Sequence, residues 1–177
     1  AGLTRELPIC RVSDELYIGA FVIFGDVELT ECCARELLKR APEYDVLITA
    51  ESKGIPLAYE MARQAGVNRY LIARKVPKLY MKQVFSVRVN SITTANQQML
   101  CIDQEDADFM RGKRVLIVDD VISTGESLKA VETLVEEAGG NIVGRMAILA
   151  EGDAQARKDI IYLEKLPLFN ADGTVKG

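Results

Sequence analysis

The stretch VLIVDDVISTGES, Val115 to Ser127, constrains this chain more than any other. Its uninterrupted aliphatic run reads as a strand covered on both faces, the habit of parallel sheets flanked by helices. The Ser-Thr-Gly-Glu-Ser turn then opens SLKAVETLVEEAG, whose apolar residues recur at helical spacing. A strand, a tight polar turn and a helix start make an anion site, because the first backbone N–H groups of a helix lack partners and its dipole favours negative charge. Asp119 and Asp120 need a different task, since carboxylates repel phosphate. They accept hydrogen bonds from sugar hydroxyls and hold a metal ion through water. A ribose 5-phosphate carries all the complementary groups; the competing reading is a strand end whose aspartates only cap the next helix.

Charge narrows the ligand further. Between Met61 and Ile102 there is no Asp or Glu, while Arg63, Arg69, Arg74, Lys75, Lys78, Lys82 and Arg88 give +7. The net charge of −4 therefore leaves −11 on the rest of the chain. A local basic face on an acidic protein suits a small polyanion and argues against nucleic acid. The chain has no histidine, which removes Ser-His and Cys-His nucleophiles and the commonest transition-metal ligand. Four cysteines, Cys10, Cys32, Cys33 and Cys101, lack the spacing of a zinc site and read as reduced thiols. No apolar run is long enough to span a bilayer, and AGLTRELPICRV lacks the apolar core of a signal peptide, so the expected location is cytoplasmic, with no membrane partner.

At 177 residues the chain suits one domain with a proper core, and no repeat or linker divides it. DVELTECCARELLKRA reads as a helix, YDVLITA as a buried strand, ESKGIPLAYEMARQAGV as a turn and helix, and RYLIARK as a second strand. KQVFSVRV and TTANQQMLCID alternate as an exposed antiparallel pair joined through Asn90 and Ser91. RGKRVLIVDD is the third core strand and NIVGRMAILAE the fourth. The whole reads as a doubly wound, mostly parallel α/β sheet, with turns after Ala50, Ala73 and Val118 gathered at the carboxyl ends of its strands, where such sheets bind ligands.

Three segments resemble the type I phosphoribosyltransferase family. VLIVDDVISTGES is similar to its phosphoribosyl-pyrophosphate signature, which implies that Asp119 and Asp120 bind the ribose hydroxyls and that Ser123, Thr124, Gly125, Glu126 and Ser127 hold the 5-phosphate. Glu126-Ser127 departs from the family's neutral turn, so the Glu126 side chain is expected to point outward. AESKGIPLA resembles the pyrophosphate loop of purine members, which implies that Ser52, Lys53 and Gly54 hold pyrophosphate, with a cis peptide expected between Ser52 and Lys53. IARKVPKLYMK resembles the Arg-Lys segment of adenine members, which makes Arg74, Lys75 and Lys78 a pyrophosphate-neutralising set. The resemblance further implies a flexible flap over about 74–102, a base-covering hood from about 1–30 and 150–177, a homodimer, and Mg²⁺ bound mainly through the substrate near Asp119 and Asp120.

By the same resemblance the chain joins a purine to phosphoribosyl pyrophosphate, with Asp119, Asp120, Lys53 and Arg74 as catalytic residues. Hypoxanthine-guanine members carry an aspartate where this chain has Ser123, and xanthine members a lysine where it has AILAEGDAQAR with Glu151. A carboxylate accepts a hydrogen bond from an amino group and repels a carbonyl, so adenine is the expected base and xanthine or guanine the alternative. The flap lacks the acid that adenine members place near the base, so the resemblance assigns no proton acceptor. Phe21, Phe24 and Phe169 are candidates for stacking on the base, against a plain core role. Two rivals stand beside the enzyme. A non-catalytic sensor of phosphoribosyl pyrophosphate resembles the purine repressors of this family, although those carry a winged-helix segment and the first core strand here begins near Asp45. A phosphorylated receiver domain also has an acidic pair, but after its first strand, whereas Asp119 and Asp120 follow the third.

Overall fold

The computed structural model describes residues 2–90 and 97–176. Among these residues, ten strands and four α-helices run in the order β1 (Ile9–Arg11), β2 (Tyr17–Gly19), α1 (Val27–Leu38), β3 (Val46–Ala50), α2 (Ile55–Gln64), β4 (Leu71–Ala73), β5 (Val84–Asn90), β6 (Gln97–Asp103), α3 (Gln104–Met110), β7 (Arg114–Ile122), α4 (Glu126–Glu137), β8 (Asn141–Glu151), β9 (Ile161–Leu166) and β10 (Leu168–Phe169). A 3₁₀ turn, Gly152–Ala156, follows β8. The central sheet has the order β4-β3-β7-β8-β9 and every pairing in it is parallel. The chain winds outward from β3 to β4 and in the opposite direction from β7 through β8 to β9. The reversal lies between β3 and β7, and a crevice opens there because the helices leaving those two strands cover opposite faces.

Strand periodicity builds those faces. Val46, Ile48, Val115 and Ile117 turn toward Leu128, Val131, Leu134 and Val135 of α4. Leu47, Leu116 and Val118 turn toward Cys33, Ala34 and Leu37 of α1 and Leu57, Ala58 and Met61 of α2. The alternation slips by one residue across Asp119–Asp120, since Val121 belongs to the α1/α2 face and Ile122 to the α4 face. An Ile117→Val substitution removes one methyl group from the α4 face and is expected to cost about 0.5–1.5 kcal/mol, read as a lower urea midpoint at unchanged slope.

A fifth core strand, β9, pairs with β8, so Glu164–Leu166 belong to the main sheet and the expected hood over 150–177 is split. Its charged Glu164 and Lys165 sit at the sheet edge, where strand patterning is weakest. The two chain ends do meet, in a small antiparallel sheet pairing β10 with β2 and β2 with β1. Within the segment expected as a flap, β5 and β6 form a hairpin, but Val87, Leu100 and Ile102 on one face are buried against the α4 side of the core. Ser91 and Thr93 to Asn96, part of the expected exposed pair, lie outside the described residues. The short helix α3, capped by the Asp103 side chain on the Glu105 amide at 3.3 Å, follows directly from β6 and lacks the apolar periodicity that marks the other helices in sequence.

Candidate active site

The helix starts separate into two kinds. In α1 and α3 a side chain, Asp26 or Asp103, caps the first turn. In α2 and α4 the N-cap residue is a glycine, Gly54 or Gly125, which has no side chain to cap the turn; at α4 the preceding Thr124 Oγ1 accepts a long bond of 3.5 Å from the Glu126 amide. The two glycine starts belong to the helices that leave β3 and β7, the two strands flanking the topological reversal. Gly125 has φ +80°, a left-handed conformation that turns the chain abruptly from the strand into α4. Gly54 has ordinary helical angles, and its constraint is space. A Cβ there would lie 2.1 Å from Thr49 Oγ1, 3.1 Å from Asp119 Oδ1 and 3.4 Å from Asp119 Cα. The start of α2 is therefore packed directly on the first aspartate of β7, which joins the Ser52–Gly54 loop to the Asp119–Asp120 pair.

The aspartates lie two residues inside β7, which runs on to Ile122, and are not its last residues. The Asp120 amide donates to Asp119 Oδ1 at 2.9 Å. Asp120 is buried, and its Oδ2 accepts no hydrogen bond among the described residues. Burial, then the charge of Asp120, raises the Asp119 carboxyl above the usual range, with Lys53 acting in the other direction. A buried acceptor without a donor is costly unless a ligand supplies one.

The cation set gathers at the end of β4, and Glu51 sits among it. Arg74 Nη1 donates to Glu51 Oε1 at 3.0 Å, Lys78 Nζ lies 3.5 Å from the same oxygen, and the Lys75 amide donates to Oε2 at 3.3 Å. Burial works against the Glu51 charge, but the Lys75 amide, Arg74 and Lys78 hold its pKa below the usual value. The Arg74 backbone exchanges two hydrogen bonds of 2.8 Å with Cys101 of β6, which ties the hairpin to the cation loop. The cis peptide is Glu51–Ser52, one residue before the expected position. β3 ends at Ala50, as read from the sequence, and the Glu51 amide still bonds Ala73 O of β4 at 2.8 Å.

Around the second turn, Ser123 and Gly125 are half-buried, while Thr124 and Ser127 are exposed. Glu126 is half-buried too, so its side chain does not simply project into solvent as expected. Arg157, unassigned from sequence, reaches back over this turn: a Cβ on Gly125 would lie 2.7 Å from its Nη1. Asp159 orients that guanidinium through bonds of 3.0 and 2.6 Å. Glu151 is buried at the end of β8, one step beyond the Ile122–Ala150 pairing and thus level with the start of the turn. It is therefore not a surface acid. Phe24 is 50% exposed, whereas Phe21 is packed with Leu37, Leu57 and Leu116, so its ring serves the core and not base stacking. Phe169 pairs with Tyr17 in the small terminal sheet.

Two helices that start on glycine, an acidic pair and a cation loop at the end of the neighbouring β4 define the class: a doubly wound α/β protein whose polar groups gather at one crevice, the place where such sheets take ligands. A family model for the phosphoribosyl transferase domain matches residues 31–171, and the chain belongs to that family. The orotate phosphoribosyltransferase of Caldanaerobacter subterraneus is 30% identical over 143 residues, covering 80% of this chain and 64% of that protein, so the chain spans under two thirds of this relative's length. The adenine phosphoribosyltransferase of Cenarchaeum symbiosum is 34% identical over 131 residues, 73% of each chain. The solved adenine phosphoribosyltransferase of Saccharomyces cerevisiae, complexed with an imino-altritol bisphosphate and adenine, has a TM-score of 0.70 at 22% identity, covering 90% of this chain and 93% of that one; at that identity the likeness is one of fold.

Proposed function

We propose that this chain transfers the phosphoribosyl group of phosphoribosyl pyrophosphate to a purine, with adenine preferred, as a step of purine salvage. The observation that carries the reading is the buried Oδ2 of Asp120, which accepts no hydrogen bond among the described residues and belongs to the residue next to Asp119, on which the start of α2 packs at Gly54. A ribose hydroxyl supplies the missing donor, and each helix start takes one phosphate end of the same ligand. In this reading the turn Ser123–Ser127 holds the 5-phosphate, while the Ser52, Lys53 and Gly54 amides, with Arg74, Lys75 and Lys78, hold pyrophosphate. The purine N9 forms its bond to C1 of the ribose as the C1–O bond breaks, its electron pair leaving on pyrophosphate and the N9 proton being released to solvent. Asp119 and Asp120 orient the ribose as positive charge develops on it, and the cation set stabilises the departing anion.

The donor set fits Mg²⁺ as an ion shared with the substrate. Asp119 and Asp120 supply carboxylate oxygens, and no group of three or more acidic, Cys or His residues forms a protein-only cage among the described residues. When bound, the ion adds charge neutralisation at pyrophosphate. A homodimer and a cytoplasmic location are part of the same proposal. Exposed Val22, Val27 and Tyr59 support the first. For the second, no helix among the described residues is long and apolar enough to cross a membrane.

Relatives that act on different bases leave the base to the residues. Ser123 in the phosphate turn and the buried Glu151 beside it favour a 6-aminopurine over a 6-oxopurine, and Phe24 is the exposed ring available for stacking. With phosphoribosyl pyrophosphate, Mg²⁺ and each of adenine, guanine, hypoxanthine and xanthine, adenine is expected to give the highest kcat/KM. Glu151→Gln is expected to narrow its lead, because an amide also donates. A better rate with guanine or xanthine would refute the Glu151 role. Tight phosphoribosyl pyrophosphate binding without turnover of any base would replace the enzyme by a ligand sensor.

A further inference from the structure

Glu51 is an acid in the middle of a cation loop, and neither its residue type nor its neighbours in sequence assign it a role. Its two oxygens take Arg74 and Lys78, two cations of the set that the proposed function gives to pyrophosphate, and the backbone amide of Lys75, a third member of that set. One peptide bond separates it from Ser52, the first residue of the amide loop given to the same anion. Arg74 and Lys78 approach a single oxygen, and without a negative charge between them they would repel each other. An incoming pyrophosphate meets cations already paired and a carboxylate of its own sign beside them.

We propose that Glu51 is an internal anion that keeps the cation loop assembled without ligand and competes with pyrophosphate for Arg74 and Lys78, so that it sets how tightly the pyrophosphate end of substrate and product is held. The inference rests on the phosphoribosyl pyrophosphate reading of the site. Competition of this kind weakens the hold on both sides of the reaction: it raises the KM of the substrate and eases release of the product. The low pKa of Glu51 keeps it charged at neutral pH, as a competitor must be.

Glu51→Gln keeps the shape and an oxygen acceptor for Arg74 or the Lys75 amide while deleting the charge. Calorimetric titration of the full chain with pyrophosphate and Mg²⁺ is expected to show binding about tenfold tighter than wild type, the order of one removed like charge in a partly exposed site. The KM for phosphoribosyl pyrophosphate falls in parallel, while kcat does not rise with it. Glu51→Asp retains the charge and does not tighten binding. Equal or weaker pyrophosphate binding by Glu51→Gln, while wild type binds, would overturn the competition and leave the reading of the site intact. Wild-type protein that binds neither pyrophosphate nor phosphoribosyl pyrophosphate would overturn both.

Discussion

Gly54→Val is expected to reduce kcat/KM by on the order of 10²-fold or more, whereas Lys53→Ala costs less than about tenfold, because the loop acts chiefly through its backbone amides. The glycine angles at Gly54, φ −71° and ψ −12°, suit any residue, so backbone strain is not the cause. The cause is contact. A first side-chain carbon falls 2.1 Å from the hydroxyl of Thr49, which is fully buried in β3 and has no room to retreat. A β-branched side chain adds bulk on the side where Asp119 lies. The start of α2 must then move away from β7, and the Ser52–Gly54 amides move with it. Overpacking of this kind also lowers stability, by typically about 1–3 kcal/mol. Rates and phosphoribosyl pyrophosphate affinities of the two variants check the order; a larger loss in Lys53→Ala would mean that the lysine side chain, and not the packed backbone, governs the turn.

The Gly54–Asp119 contact also marks the limit of what the sequence makes legible. The strand, turn and helix from Arg114 to Glu137 are local: an aliphatic run, a glycine with positive φ and an amphipathic period stand next to one another in the chain. They can be read without knowing where any other strand lies. That Asp119 touches Gly54 depends on β3 pairing with β7 and not with another strand, and no pattern within either segment encodes that choice. Glu51 and Arg157 were missed for the same reason. Their partners, Arg74 with Lys78 and the Gly125 turn, are distant in sequence and brought close by topology. β9 escaped because an edge strand tolerates Glu164 and Lys165, which blur the alternation on which strand reading depends. Phe21 and Phe24 are three residues apart and alike in chemistry, yet one is core and the other exposed, since the chain passes between α1 and the small terminal sheet within that span.

Asp119→Asn with Asp120→Asn is expected to abolish most turnover while leaving a folded and, at neutral pH, more heat-stable protein. Loss of two charge-assisted hydrogen bonds to the ribose, at about 1.5–3 kcal/mol each, corresponds to roughly 10²–10⁴ in kcat/KM. Stability moves the other way. Burial and the neighbouring Asp120 raise the Asp119 pKa above its ordinary 3.8, so the folded chain holds this proton to higher pH than the unfolded chain does. Wherever the folded state binds more protons, stability falls as pH rises; the contribution of Asp119 is thus fully present below pH 3.8 and is lost progressively up to its raised value. Asparagine carries no such penalty and still offers an oxygen to the Asp120 amide, the contact that holds the pair in register. The Tm difference between Asp119→Asn and wild type should therefore be small near pH 3.5 and grow toward neutrality, each kcal/mol of gain amounting to about 2–4 °C in a chain of this size. A folded double variant with near-normal rates would remove the ribose role from the pair. A Tm difference that does not change with pH would instead remove the buried charge, and with it the reason that two carboxylates stand inside an otherwise aliphatic strand.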